Sequence, residues 1–160
     1  MIDALARQLV AQAPILYGDG SCATSLAGKP EAAASASYVG FTKDGSRMLV
    51  ALGTLGGAQN ASATVDLTLV FDMSDPRRPR QLAPIKTAVR QGSDIVMANG
   101  GRLAFIPNSA AGTVSVVDLG AVGEGPYVRV ADVLVGAEPH GTAERDGKVY
   151  VANYGEGTLS

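Results

Sequence analysis

The sequence predicts an all-β chain assembled from a repeated four-stranded antiparallel unit. Three observations predict it. First, 20 glycines and 8 prolines among 160 residues punctuate many short apolar runs, the pattern of a turn-rich sheet protein rather than a helical one. Second, an Asp-Gly or Asn-Gly pair separates neighbouring runs at 44–45, 99–100 and 146–147. Both central positions of a two-residue hairpin turn want φ > 0, which these residue types adopt at little cost. Third, the spacing recurs: Asn108 to Asn153, Gly112 to Gly157 and Thr113 to Thr158 are each 45 residues, and the strand-ending Asp72 and Asp118 are 46 apart. A period of about 40–45 residues with four strands per unit is that of a β-propeller blade.

In chain order, Ile2, Leu5, Ala6, Leu9 and Val10 share one helical face, with Asp3, Arg7 and Gln8 opposite. That spacing predicts a short amphipathic helix over 2–12, packed as a cap on the neighbouring sheet. Residues 13–17 read as a strand and 21–37, rich in small residues without a period, as a loop. Segment 1–36 is therefore a helix and loop, or the end of a preceding blade.

Blade 1 is expected over 37–92, with strands at 38–41, 47–52, 67–72 and within 80–86, and a long insertion at 53–65. Blade 2 is expected over 93–140, with strands at 94–97, 102–106, 112–118 and 127–134. A partial blade 3 covers 141–160, with strands at 142–145, 148–153 and 157–160. Tyr150 and Val151 alternate across a sheet packed on both faces by neighbouring blades, so Tyr150→Ala is expected to cost about 3–5 kcal/mol. Asn153, Asp72 and Asp118 are expected to hydrogen-bond turn amides.

Several function classes are excluded. A net charge of −2 without a block of one sign argues against a nucleic-acid surface. The densest basic cluster, Arg77, Arg78 and Arg80, reads as a solvated loop between outer strands. With one cysteine, Cys22, and one histidine there is neither a disulfide nor a Cys/His metal framework, and no metal or cofactor is expected. No run approaches the ~18 apolar residues of a membrane span, and the first residues lack the basic start of a signal peptide. Gly18-x-Gly20-x-x-Ala23 would need a helix to bind pyrophosphate, and Gly28-Lys29-Pro30 breaks one. A Gly-x-Ser-x-Gly elbow is absent, and Asn60-Ala61-Ser62 is a glycosylation sequon within the insertion.

At these residues the chain resembles the YVTN family of β-propeller repeats. The third unit carries the likeness best, through Pro139-His140-Gly141, Asp146-Gly147-Lys148-Val149-Tyr150-Val151-Ala152-Asn153 and Gly155-Glu156-Gly157-Thr158-Leu159-Ser160. The second keeps Gly101-Arg102, Asn108 and the run from Gly112 to Asp118, but has Leu103-Ala104-Phe105-Ile106-Pro107 where the name-giving tetrad would stand. The first keeps Asp44-Gly45 and Val70-Phe71-Asp72. The resemblance covers roughly 37–160 and implies the fold rather than a function. It implies a fragment of a larger propeller of about seven blades, with ring closure by self-association as the alternative. It also implies a periplasmic or secreted setting, which the residues do not themselves assign.

In a propeller the innermost strands line a central channel, where ligands bind. The channel candidates are Asp94 and His140; Glu144 and Arg145 follow on the same strand. Two readings stand. One is a non-enzymatic scaffold that binds a protein or small molecule. The other, implied by related propellers, is a lactonase-like hydrolase or a quinone- or haem-linked oxidoreductase domain. A lactonase needs a carboxylate or histidine to activate water and a cation to steady the oxyanion, so His140, Glu144 and Arg145 are its catalytic candidates.

Overall fold

Runs of valine, leucine, threonine and phenylalanine bounded by glycine and aspartate form antiparallel strands along the chain. The computed structural model describes residues 2–3, 8–9, 34–54, 67–87, 94–120 and 127–160. Strand β1 (Ile2–Asp3) pairs with β2 (Gln8–Leu9). The first large sheet runs β3 (Ala34–Phe41), β4 (Arg47–Thr54), β5 (Leu67–Asp72) and β6 (Arg80–Gln81), and β7 (Ile85–Lys86) also pairs with β5. The second holds β8 (Val96–Ala98), β9 (Leu103–Asn108), β10 (Thr113–Asp118) and β11 (Val128–Leu134) in sequence order. The third holds β12 (Pro139–Arg145), β13 (Lys148–Asn153) and β14 (Thr158–Leu159).

Several expectations need correction. The helix over 2–12 is replaced, at its described residues, by a strand pair in which Ile2 faces Leu9 and Asp3 faces Gln8. A helix that short is marginal because its nucleus is costly, so helical periodicity alone does not secure it. Strand β3 begins at Ala34, inside the stretch read as loop. The fourth strand of the first unit is two short pieces, β6 and β7, on the same neighbour. The strand expected at 13–17, Cys22, the Gly18 fingerprint and the Asn60 sequon lie outside the described residues.

The turns obey the expected chemistry in two of three places. Asn99 and Gly100 (φ 51° and 68°) and Asp146 and Gly147 (53° and 75°) have positive φ at both positions. At 44–45 only Gly45 does (φ 70°). There the connection spans the five residues 42–46, and the Asp44 carboxylate organises it by accepting from Thr42 Oγ1 (2.7 Å) and the Ser46 N–H (3.0 Å).

The main core lies between the first two sheets. Leu49, Ala51, Val70 and Ile85 meet Ile95, Ala104, Ile106, Val117 and Leu119, all buried. Across β9 and β10, Ala104 faces Val117, which sets those residues on one side of the second sheet. The opposite face of the first sheet buries Val50, Leu52, Leu69, Phe71 and Met73. Burial on both faces explains why β4 and β5 read as nearly continuous apolar runs rather than strict alternations. Strand β12 packs against β8 and β9, and Val151 and Asn153 of the third sheet are buried.

Tyr150 departs from expectation. It points away from Val151 and is 40% exposed, because no described residues cover that face of the third sheet.

The sheets approach closely at Gly40, where a Cβ would lie 2.9 Å from Ile95 Cγ2. Gly40→Val is therefore expected to lower stability by about 1–3 kcal/mol through overpacking. Urea denaturation of the variant checks it; an unchanged midpoint would contradict the close contact of β3 with the second sheet.

Candidate functional site

Antiparallel order fixes two ends of the sheets. The β3–β4, β8–β9 and β12–β13 hairpins lie at one end, and the β9–β10, β11–β12 and β13–β14 connections at the other. His140 sits at the second end, where three connections are stitched together. Val135 N–H donates to Gly112 O (3.0 Å), Tyr154 N–H to Glu138 O (2.9 Å) and Gly155 N–H to Ala137 O (3.1 Å). Ser109 Oγ donates to Pro139 O (2.8 Å). Gly136 permits this approach, since a Cβ there would fall 2.6 Å from both Asn153 Cγ and Glu156 Oε2. The exposed His140 ring then meets Tyr154 edge-on, with centroids 5.6 Å apart and planes at 61°.

Asp94 is engaged structurally. Its carboxylate accepts from its neighbour's amide, Ile95 N–H (2.8 Å), and from Thr142 N–H (2.7 Å) and Oγ1 (2.9 Å). It thus fastens β8's leading residues to β12, two positions along from His140. Glu144 is likewise in use, accepting from Gly147 N–H (2.8 Å) in the hairpin turn. Arg145 makes an exposed pair with Asp146 (3.4 Å), of the kind that contributes little. His140 lies near the start of β12 and Glu144 and Arg145 at its end, roughly 13–16 Å away along an extended strand. The chain brings Asp94 and His140 to one region of β12. It does not bring His140 together with Glu144 and Arg145.

The 45-residue repeat reappears as hydrogen bonding. Asn108 Nδ2 donates to Thr113 Oγ1 (3.2 Å) and Ser115 Oγ (2.9 Å). Asn153 Nδ2 donates to Thr158 Oγ1 (3.0 Å) and Ser160 Oγ (2.9 Å). The side chain of Asn153 therefore bridges strand hydroxyls, not the turn amides expected for it. The strand-end aspartates do take turn amides: Asp72 from Ser74 (3.0 Å) and Asp118 from Gly120 (2.8 Å).

The hairpin end holds a feature that sequence reasoning missed. A cleft of about 330 Å³ lies between the first two sheets, with Lys43, Arg47, Arg102, Leu119 and Tyr127 in its walls. Arg47 is only 11% exposed and donates to Ser46 O (2.8 Å), Asp72 (3.1 Å) and the Tyr127 hydroxyl (3.0 Å). Arg102 makes two contacts with Asp118, at 2.9 and 3.2 Å. Arg47 and Tyr127 alone are 80 positions apart, so no local motif announces the cleft. Its one sequence signal was an arginine opening the second strand of each of the first two units.

Three carboxyls here titrate low. Bonds from Thr42 and then Ser46 hold Asp44 down to about 2. Those from the Ser74 hydroxyl and amide, then Arg80 and Arg47, hold Asp72 well below the usual carboxylate range. Arg102, then the Gly120 amide, lowers Asp118. Lowered folded-state values contribute stability that is full above the unfolded carboxylate range and lost as pH falls. Stability is thus expected to drop between about pH 4 and pH 2. Asp72→Asn should lie closer to the wild type at the acid end than at neutrality, which thermal melts across pH would check. A constant gap would contradict it.

Among the described residues, no three His, Cys, Asp or Glu side chains gather to hold a metal ion. No described helix is long and apolar enough to cross a membrane. No family profile matches the sequence. No curated protein matches it either. The structure is similar to that of a proposed 6-phosphogluconolactonase from Bacteroides fragilis (TM-score 0.63, 15% identity, 76% of this chain and 32% of that one). It is similar to the β-propeller domain of Swd1 from Myceliophthora thermophila (0.53, 12%, 92% and 47%). A third likeness is to the periplasmic gluconolactonase of Pseudomonas aeruginosa (0.51, 16%, 91% and 47%). The fold is therefore of the β-propeller type, and the chain spans between 32% and 47% of the length of these proteins.

Proposed function

We propose that this chain is part of a YVTN-type propeller of about seven blades, and that it serves as a rigid scaffold binding a protein or small molecule at its central channel. One observation carries the scaffold reading: the groups a hydrolase would need are apart or already occupied. Asp94 holds β12, Glu144 closes a hairpin turn, and His140 stands at the other end of their shared strand. The rim beside His140 and Tyr154 is the exposed, aromatic part of the inner strand region and the place for a ligand.

A lactone hydrolase is the second reading, favoured by two similar structures that carry lactonase names. In it, His140 would activate water, and the remaining groups would come from further blades. Incubating the full-length propeller that contains this chain with gluconolactone separates the two. The scaffold reading expects hydrolysis at the buffer rate and no change on His140→Ala. Turnover that His140→Ala abolishes would overturn it in favour of the hydrolase.

A further inference from the structure

We propose that the cleft at the hairpin end, between the first two sheets, is a second binding site, and that its ligand is a small organic anion with an apolar or aromatic body. This inference does not rest on the channel reading, because the cleft lies at the opposite end of the strands from His140.

Charge comes first. Three cations, Lys43, Arg47 and Arg102, line the cleft against a single lining carboxylate, Asp44. Asp44 is turned to Thr42 and Ser46, which supply its hydrogen bonds. The carboxylates that hold the arginines, Asp72 and Asp118, are not part of the lining. They fix the guanidinium groups in place and offset much of their charge, so the Lys43 ammonium is the cation on which an anion would depend most. The fixed guanidinium groups need little reordering when an anion arrives, which is what preorganisation supplies.

Shape comes second. The volume of about 330 Å³ is at the small end of ligand pockets. Leu119 and the ring of Tyr127 offer an apolar wall. Arg47 binds the Tyr127 hydroxyl and so sets the ring's position. Gly101, at φ 93°, lets the second hairpin close on the first: a Cβ there would lie 3.2 Å from Lys43 N. A carboxylate or phosphate would sit between Lys43 and Arg102, with its organic body on Tyr127 and Leu119.

The test is amide NMR of the whole chain titrated with phenyl phosphate and benzoate, with inorganic phosphate and benzyl alcohol as controls. Phenyl phosphate and benzoate are expected to shift the Lys43, Gly100, Gly101 and Gly120 amides saturably, inorganic phosphate to bind more weakly, and benzyl alcohol not at all. Lys43→Gln should weaken phenyl phosphate binding about tenfold, the loss of one charge-assisted contact. Lys148→Gln, an exposed lysine of the third sheet, should leave it unchanged. Equal loss in both variants would overturn the site as mere surface charge. Shifts confined to His140 and Tyr154, or absent altogether, would also overturn it. Shifts there would leave the channel reading standing.

Discussion

Ile106→Ala is expected to destabilise the chain by about 2–5 kcal/mol, the cost of a cavity in a site that cannot collapse. Ile106 is 1% exposed and sits in the layer where the first two sheets meet. Tyr150 lies on the corresponding strand one unit later, next to Val151, which is 45 residues after Ile106. Its ring faces outward, so Tyr150→Ala should cost about 1 kcal/mol or less, closer to a surface change. Chemical denaturation of both variants reads the difference. Similar costs would mean that the third sheet's outer face is covered after all.

Asn108→Ala should be the second large effect, at about 2–3 kcal/mol, because truncation removes a buried amide's two donated hydrogen bonds and leaves a cavity in its place. Asn108 and Ser115 are both buried, and the Ser115 hydroxyl keeps its own donation to Asp132 (2.8 Å), so the loss is that of the Asn108 amide's contacts and of the volume it fills. The equivalent Asn153→Ala should cost less. Its partners Thr158 and Ser160 are exposed, and its own carbonyl oxygen is buried without a partner among the described residues, a cost that truncation removes. Thermal and urea midpoints of the two variants check the order. A larger loss at Asn153 would contradict the pairing of these sites as an inner and an outer copy of one bracket.

The repeat was legible because it is written in residue types with narrow roles. Asn-Gly and Asp-Gly turns, Asn108 and Asn153, and the strand-ending aspartates each do one geometric job at one spacing, and the second and third sheets place them accordingly. The N-terminal helix misled because five apolar residues at helical spacing cannot outweigh the cost of nucleating so short a helix. Tyr150 misled because the pattern of a strand shows that both faces suit burial without showing what stands against each. The candidate site was legible only as positions. Sequence placed Asp94 and His140 near the inner strands, but it could not show that Thr142 occupies Asp94 or that Gly147 occupies Glu144. The cleft was invisible for a related reason: Arg47 and Tyr127 meet only through the packing of two sheets.

Residue-resolved amide hydrogen exchange tests the stacked-blade account most directly. The interior strands β4, β5, β9 and β10 are expected to exchange slowest, with β13 intermediate between its two neighbours. The edges β11 and β14 should exchange first, since each has one side of its backbone unpaired. Fast exchange throughout β9 and β10, or protection of β14 equal to theirs, would contradict the order of strands and sheets on which every inference above depends.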